Sequence, residues 1–195
     1  MQTFLPFRSF KRSAHILDDQ RLNKQITEAF QILDSLKMYN PDGSLKPKYE
    51  RKFKDKKKPA WLHHPANLMW IGHYNTLKYY ISCFHYEWVN VRGKNYERLA
   101  PDYITPVVYP PWFCKTFRKS HRSQLVRKRP DLYGDVFSNV PELCYYWPFT
   151  WSPVFGRRIQ VPPRVYKKIG HLPKKDFDKA YGVIKKHGIK GIINE

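Results

Sequence analysis

From Ser13 to Met38 the chain reads SAHILDDQRLNKQITEAFQILDSLKM, and this stretch decides the fold class. Leu22, Ile26, Ala29, Phe30, Leu33 and Leu36 recur at three- and four-residue steps, which draws one apolar stripe along a helix over 13–38. Arg21, Lys24, Gln25 and Glu28 fall on the neighbouring polar face. Asn40-Pro41-Asp42-Gly43 then supplies turn chemistry that stops the helix.

Further along, Pro65 suits the first turn of a second helix. Trp70, Tyr74, Leu77, Ile81, Phe84 and Trp88 form its apolar seam, with Arg92-Gly93 as its end. Prolines at 101, 106, 110 and 111 among aromatics predict an extended, rigid connection over 100–113. A short, very basic third helix is expected over 114–129, closed by Arg129-Pro130. The stretch 141–153 reads as a proline- and aromatic-rich wrap around the core, and a short helix is expected near 174–187. No internal repeat is visible. The reading is all-α: three main helices in a compact single domain over 1–152, long Pro/aromatic-rich connections, and a basic C-terminal extension over 153–195.

Charge bounds the partner. Thirty-six Lys and Arg face sixteen Asp and Glu in 195 residues, a net +20, and aromatics make up 16% of the chain. Like charge at this density repels itself in a compact state, and a polyanion relieves it by releasing counterions. Aromatic faces add platforms for unstacked bases. Nucleic acid is the expected partner. Residues 46–58, KPKYERKFKDKKK, carry eight basic and two acidic residues and read as a solvated loop or a phosphate-contacting arm. Lys119, His121, Arg122, Arg127, Lys128 and Arg129 on the third helix signal a phosphate backbone without saying which nucleic acid.

Other classes are disfavoured. No apolar run approaches the roughly 20 residues of a membrane span. The Met1-Gln2-Thr3-Phe4-Leu5-Pro6 start lacks the pattern of a signal peptide. Cys83, Cys114 and Cys144 fit neither a disulfide framework nor a zinc site, which predicts reduced thiols in a cytosolic, nucleoid or nuclear setting. His63-His64-Pro65 is a poor metal signal, and His64 is instead a candidate cap for the second helix. No Walker loop, nucleophile elbow, zincin or zinc-deaminase motif is present. No metal, cofactor or membrane is expected, and the protein is expected to act as a monomer.

Glu28 is the carboxylate that stands out. One reading is a surface i,i+4 pair with Lys24. The other is a general acid/base, or a stabiliser of an oxocarbenium ion, in a cleft whose cations hold phosphates.

At this point the residues resemble a family. Asp19-Gln20-Arg21-Leu22 followed by Glu28 is similar to the first-helix motif of the pyrimidine-dimer DNA glycosylases. His64-Pro65 with Trp70, Gly72-His73 and Arg92-Gly93 resemble its second helix. Ser120-His121-Arg122-Ser123 through Tyr133 resembles its basic third helix. A bacterial subgroup that begins M-x-T-F-L-P and shares the Leu17–Ala29 pattern is more similar still. The resemblance spans roughly residues 1–150. It implies a helical fold that binds damaged double-stranded DNA without metal and acts as a glycosylase and abasic-site lyase. The implied nucleophile is the N-terminal α-amine, on Met1 or on Gln2 once methionine is removed, and Glu28 assists. Arg21, Lys24, Gln25 and the basic third-helix residues would contact DNA. Three positions differ from the family pattern: Gln2 follows methionine, Arg21 replaces a histidine, and Thr27 precedes the glutamate. The stretch between the N-terminus and the motif is also longer by several residues. Two competing readings are a non-catalytic DNA-binding or DNA-packaging protein on the same fold, and an RNA-binding module.

Overall fold

Two side-chain caps cut the 13–38 pattern in two. The structure, a computed structural model, describes residues 3–54, 61–189 and 192. Ser9 caps helix α1 (Phe10–Ile16) by accepting the Arg12 amide at 3.2 Å. Leu17 and Asp18 then run extended, and the Asp18 carboxylate accepts the Arg21 amide at 3.0 Å to start α2 (Asp19–Leu36). The continuous helix expected over 13–38 is therefore corrected. An aspartate that can capture a backbone N–H two or three residues on favours a helix start over a helix interior. The stripe itself holds: Leu22, Ile26, Ala29, Phe30, Leu33 and Leu36 are all buried.

The basic stretch expected as a loop is partly helical. Pro47–Lys54 forms α3, with Phe53 buried and Tyr49 stacked on it at 6.4 Å. Residues 55–58 of that stretch lie outside the described residues. The second expected helix is also interrupted. His64 caps α4 (Pro65–Leu68), its Nδ1 accepting the Ala66 amide at 3.1 Å. Gly72 adopts φ +84°, a conformation that ends the first segment and that a side chain would resist. Helix α5 (Tyr74–Tyr86) follows and passes into a π-helical turn, Glu87–Val91. Arg92 and a left-handed Gly93 end it. Helix α5 packs on α1 and α2. The following extended segment is stapled to α5 by side chains: Asn75 exchanges two hydrogen bonds with the Ile104 backbone, Thr76 donates to Val108 O, and Ser82 donates to Pro101 O.

The chain forms two compact units, 1–111 and 112–195. The second contains α6 (Lys115–Lys128), α7 (Pro130–Tyr133), a β1–β2 hairpin (Phe149–Ser152 and Arg157–Gln160), α8 (Pro163–Ile169) and α9 (Lys174–His187). The hairpin is antiparallel, with Thr150 opposite Ile159 and Ser152 opposite Arg157. Among the described residues the fold is thus mostly helical, in keeping with the all-α expectation, with one two-stranded sheet that the expectation did not include. Four-residue strands amid prolines carry too little periodicity to announce themselves. The composition change at 153 falls in the turn of this hairpin, and the residues after it share a core with those before it. Tyr146 donates to Val161 O at 2.6 Å, Tyr166 donates to Cys144 O, and Tyr181 donates to Trp147 O at 2.9 Å. Among the described residues no helix is long and apolar enough to cross a membrane.

Candidate active site

Helix α2 carries Glu28 on a half-buried face, and the residue that organises its surroundings is Gln25. Three residues apart on a helix, the two side chains are neighbours. Gln25 is buried, and its Oε1 accepts from the Phe4 amide at 2.6 Å and from the Tyr80 hydroxyl at 3.2 Å. With both donors on Oε1, its Nε2 is left to face Glu28 and donates to Oε2 at 3.4 Å. Burial holds the Tyr80 hydroxyl well above the usual phenol range, and the Glu28 charge adds to this. Tyr80 therefore stays a proton donor. Thr3, Phe4 and Leu5 are buried beside α2, and Thr3 Oγ1 accepts from Trp70 Nε1 at 3.2 Å. The N-terminal segment, Gln25 and Glu28 thus form one hydrogen-bonded chain.

The sequence placed Gln25 on the DNA-facing surface, and the structure corrects this. On a 3.6-residue helix Gln25 lies only about 40° round from Ala29, so it borders the apolar stripe and turns inward. Lys24 is exposed. Arg21 donates to Asp18 Oδ2 at 2.8 Å, leaving it fixed at the start of α2 with its side chain 15% exposed.

The opposite edge of α2 is covered by residues 92–98. Arg92 pairs with Asp19 at 2.7 Å, Thr27 Oγ1 meets the Tyr96 hydroxyl at 3.1 Å, and Arg98 grips Asp34 through two bonds of 2.8 and 3.0 Å. Asp19 to Asp34 spans about 22 Å of helix, and six extended residues reach about 20 Å, so the strap runs parallel to α2 over nearly its whole length. Arg98 holds the Asp34 carboxyl down to about 2. Phe30 stacks with Tyr96 at 5.9 Å, and the Arg98 guanidinium lies 4.1 Å from its centroid. Arg92 also reaches buried Glu87 at 3.3 Å and the carbonyls of Ala14, His15 and Leu17. Tyr80 and Phe4 have no signal in the sequence, because Tyr80 meets Gln25 across 55 residues and Phe4 acts through its backbone amide; Arg92 reads there only as a helix end, and its reach to Asp19 across 73 residues is not legible. A cleft of about 480 Å³ lined by Leu36, Tyr39, Ile71 and Tyr74 sits at the far end of α2, about 12 Å along the helix from Glu28.

The third-helix cations lie in the second unit. Lys119, Arg127 and Lys128 are exposed on α6, Arg122 is half-buried over the Phe137 ring at 5.7 Å, and Arg129 pairs with Asp131 at 2.6 Å. His121 is the exception and a correction. It is fully buried against Phe117, and burial pushes its imidazole down to about 3. A neutral, enclosed imidazole packs the core and does not meet a phosphate. Met1 and Gln2 lie outside the described residues.

A family model described as pyrimidine dimer DNA glycosylase matches residues 1–102. The chain belongs to this family. That membership makes it, at the coarse level, a DNA-repair glycosylase whose substrate is DNA. No curated protein and no solved structure gives a match. The region matched to the glycosylase family holds the N-terminal segment, Glu28, Gln25 and the 92–98 strap, and it ends before α6.

Proposed function

We propose that this protein is a DNA N-glycosylase with abasic-site lyase activity on damaged duplex DNA, with pyrimidine dimers as the lesion. The observation that carries the proposal is the hydrogen-bonded chain from the Phe4 amide through Gln25 to Glu28. It ties the N-terminal segment to the one carboxylate that the motif singles out. The proposed nucleophile is the α-amine of Met1, or of Gln2 once methionine is removed. Such an amine has a pKa near 7.7–8.0 and is substantially unprotonated at neutral pH, whereas a solvated lysine near 10.4 is not.

In the proposed reaction the amine nitrogen forms a bond to C1′ as the glycosidic C1′–N bond breaks. The departing base leaves with the electron pair and takes a proton from water. Glu28 stabilises the cationic C1′ centre and accepts the proton released by the amine. Ring opening gives an imine, and loss of the C2′ proton expels the 3′-phosphate. Arg21 and Lys24 on α2, and Lys119, Arg122, Arg127, Lys128 and Arg129 on α6, are proposed phosphate contacts of a monomer. None of this chemistry calls for a metal or cofactor.

The competing reading is a non-catalytic DNA-binding protein. The favouring observation is that residues 112–195, beyond the family match, hold 18 Lys and Arg against 6 Asp and Glu, +12 of the chain's +20. Borohydride reduction on abasic-site and dimer-containing duplexes separates the two. A covalent adduct that mass spectrometry maps to Met1 or Gln2 supports the enzyme. An adduct on Lys24 keeps the lyase but replaces the nucleophile. Salt-sensitive binding with no adduct on any substrate supports the binder.

A further inference from the structure

We propose that the β1–β2 hairpin and the C-terminal turn of α9 form a second DNA contact, in which the hairpin tip inserts into a groove while the surrounding cations hold the flanking phosphates. This surface lies outside the family match and makes no use of Glu28. At the tip, Val154 is 64% and Phe155 48% exposed, an unusual pair of adjacent apolar side chains to leave in water. They are not on a floppy loop. Ser152 Oγ accepts from the Phe155 amide at 3.2 Å and donates to Lys185 O, so the tip is fastened to the last turn of α9. Gly156 makes the turn at φ +60°.

The cations gather at this end. Arg157 follows the tip, Arg158 lies over the Phe149 ring at 4.8 Å, and Lys185 and Lys186 are exposed on the turn that Ser152 holds. The acids of α9, Asp176 and Asp178, sit at its other end and are engaged by Lys179 and Lys174. Lysines in a last helical turn also complement the helix dipole, and edge-strand charge guards a sheet against pairing. Neither reason accounts for an exposed apolar tip next to arginines. A duplex does: it presents phosphates on both sides of a groove and base steps that open to a single apolar wedge. A membrane surface would need a broader apolar face than two side chains.

The test uses the full chain and undamaged duplex, so it does not depend on the glycosylase reading. Arg157→Gln/Lys185→Gln/Lys186→Gln should lower the slope of log affinity against log salt by about 2.7, or roughly 0.9 per lost phosphate contact. Across 50–200 mM salt the wild type would then lose about 40-fold more affinity than the variant. Val154→Ser/Phe155→Ser should keep the slope but abolish the fluorescence rise of 2-aminopurine placed at successive steps of the duplex. Both sets of residues are exposed, and an unchanged melting temperature verifies folding. An unaltered slope in the triple variant, or an equal 2-aminopurine response in the tip variant, overturns the proposal. So does binding of the wild type to phosphatidylserine vesicles that both variants lose while DNA binding is untouched, which would reassign the surface to a membrane.

Discussion

Replacing Gln25 by leucine probes the joint between the N-terminal segment and Glu28. The substitution removes one buried acceptor that serves two buried donors, the Phe4 amide and the Tyr80 hydroxyl. A buried donor left without a partner costs about 1–3 kcal/mol. Two of them, offset in part by the apolar gain of leucine, give a loss of about 3 kcal/mol. In a chain of this size each kcal/mol moves the melting temperature by about 2–4 °C, so Gln25→Leu should melt roughly 6–12 °C lower. Gln25→Glu separates stability from chemistry. It keeps an acceptor for both donors but sets a carboxylate oxygen where Nε2 stood, 3.4 Å from Glu28 Oε2. Two carboxylates about 4 Å apart repel by about 4 kcal/mol at an effective dielectric of 20. That repulsion favours one proton shared by the pair, so less of the carboxylate that serves the amine is available, and borohydride trapping should weaken most on the acid side of the profile. Single-turnover trapping from pH 5 to 9, alongside thermal melts, reads both effects. A Gln25→Leu protein that melts within 2 °C of wild type, or a Gln25→Glu protein with the wild-type pH profile, would show that Gln25 does not join the two elements.

Glu28→Gln should abolish strand cleavage in gel assays while DNA affinity by fluorescence anisotropy is kept or tightened, since a negative charge leaves a cationic surface. Anisotropy titrations should show affinity for duplex DNA dropping by about three to five orders of magnitude between 50 and 200 mM salt, as six to ten phosphate contacts require; a flat response would remove the phosphate-contact reading. Arg92→Met leaves buried Glu87 without its guanidinium partner, and urea melts should register a loss of about 3 kcal/mol; Arg92→Lys should not restore it, because an ammonium lacks the planar fork that spans Asp19, Glu87 and three carbonyls. His121 is held neutral in the fold down to about pH 3, whereas an unfolded histidine takes its proton near 6.5. The stability this contributes is complete above pH 6.5 and is lost as pH falls toward 3, by up to about 1.4 kcal/mol per pH unit; His121→Phe should flatten that part of the acid-denaturation curve.

Local periodicity, charge count and motif order were legible in the residues alone. The apolar stripe of α2 stands where the 3.6-residue pattern put it, and the helices Lys115–Lys128 and Lys174–His187 fall within the stretches expected to be helical over 114–129 and near 174–187. His64 caps the helix it precedes because an N-cap needs only a near-sequence acceptor. The D-Q-R-L…E motif identified the family, since motif order survives without coordinates. Tertiary structure decided the rest. Whether Asp18 continues a helix or starts one depends on which backbone N–H its carboxylate captures. Gln25 and His121 read as polar surface, yet both are enclosed, because a helix edge is buried or bare according to what packs on it: the N-terminal segment and Tyr80 in one case, Phe117 and Tyr145 in the other. The Arg92–Arg98 strap joins carboxylates more than 60 residues away in the chain, and no window of sequence spans that distance. A side chain's chemistry is written in its residue type, but its partners are set only when the chain closes on itself.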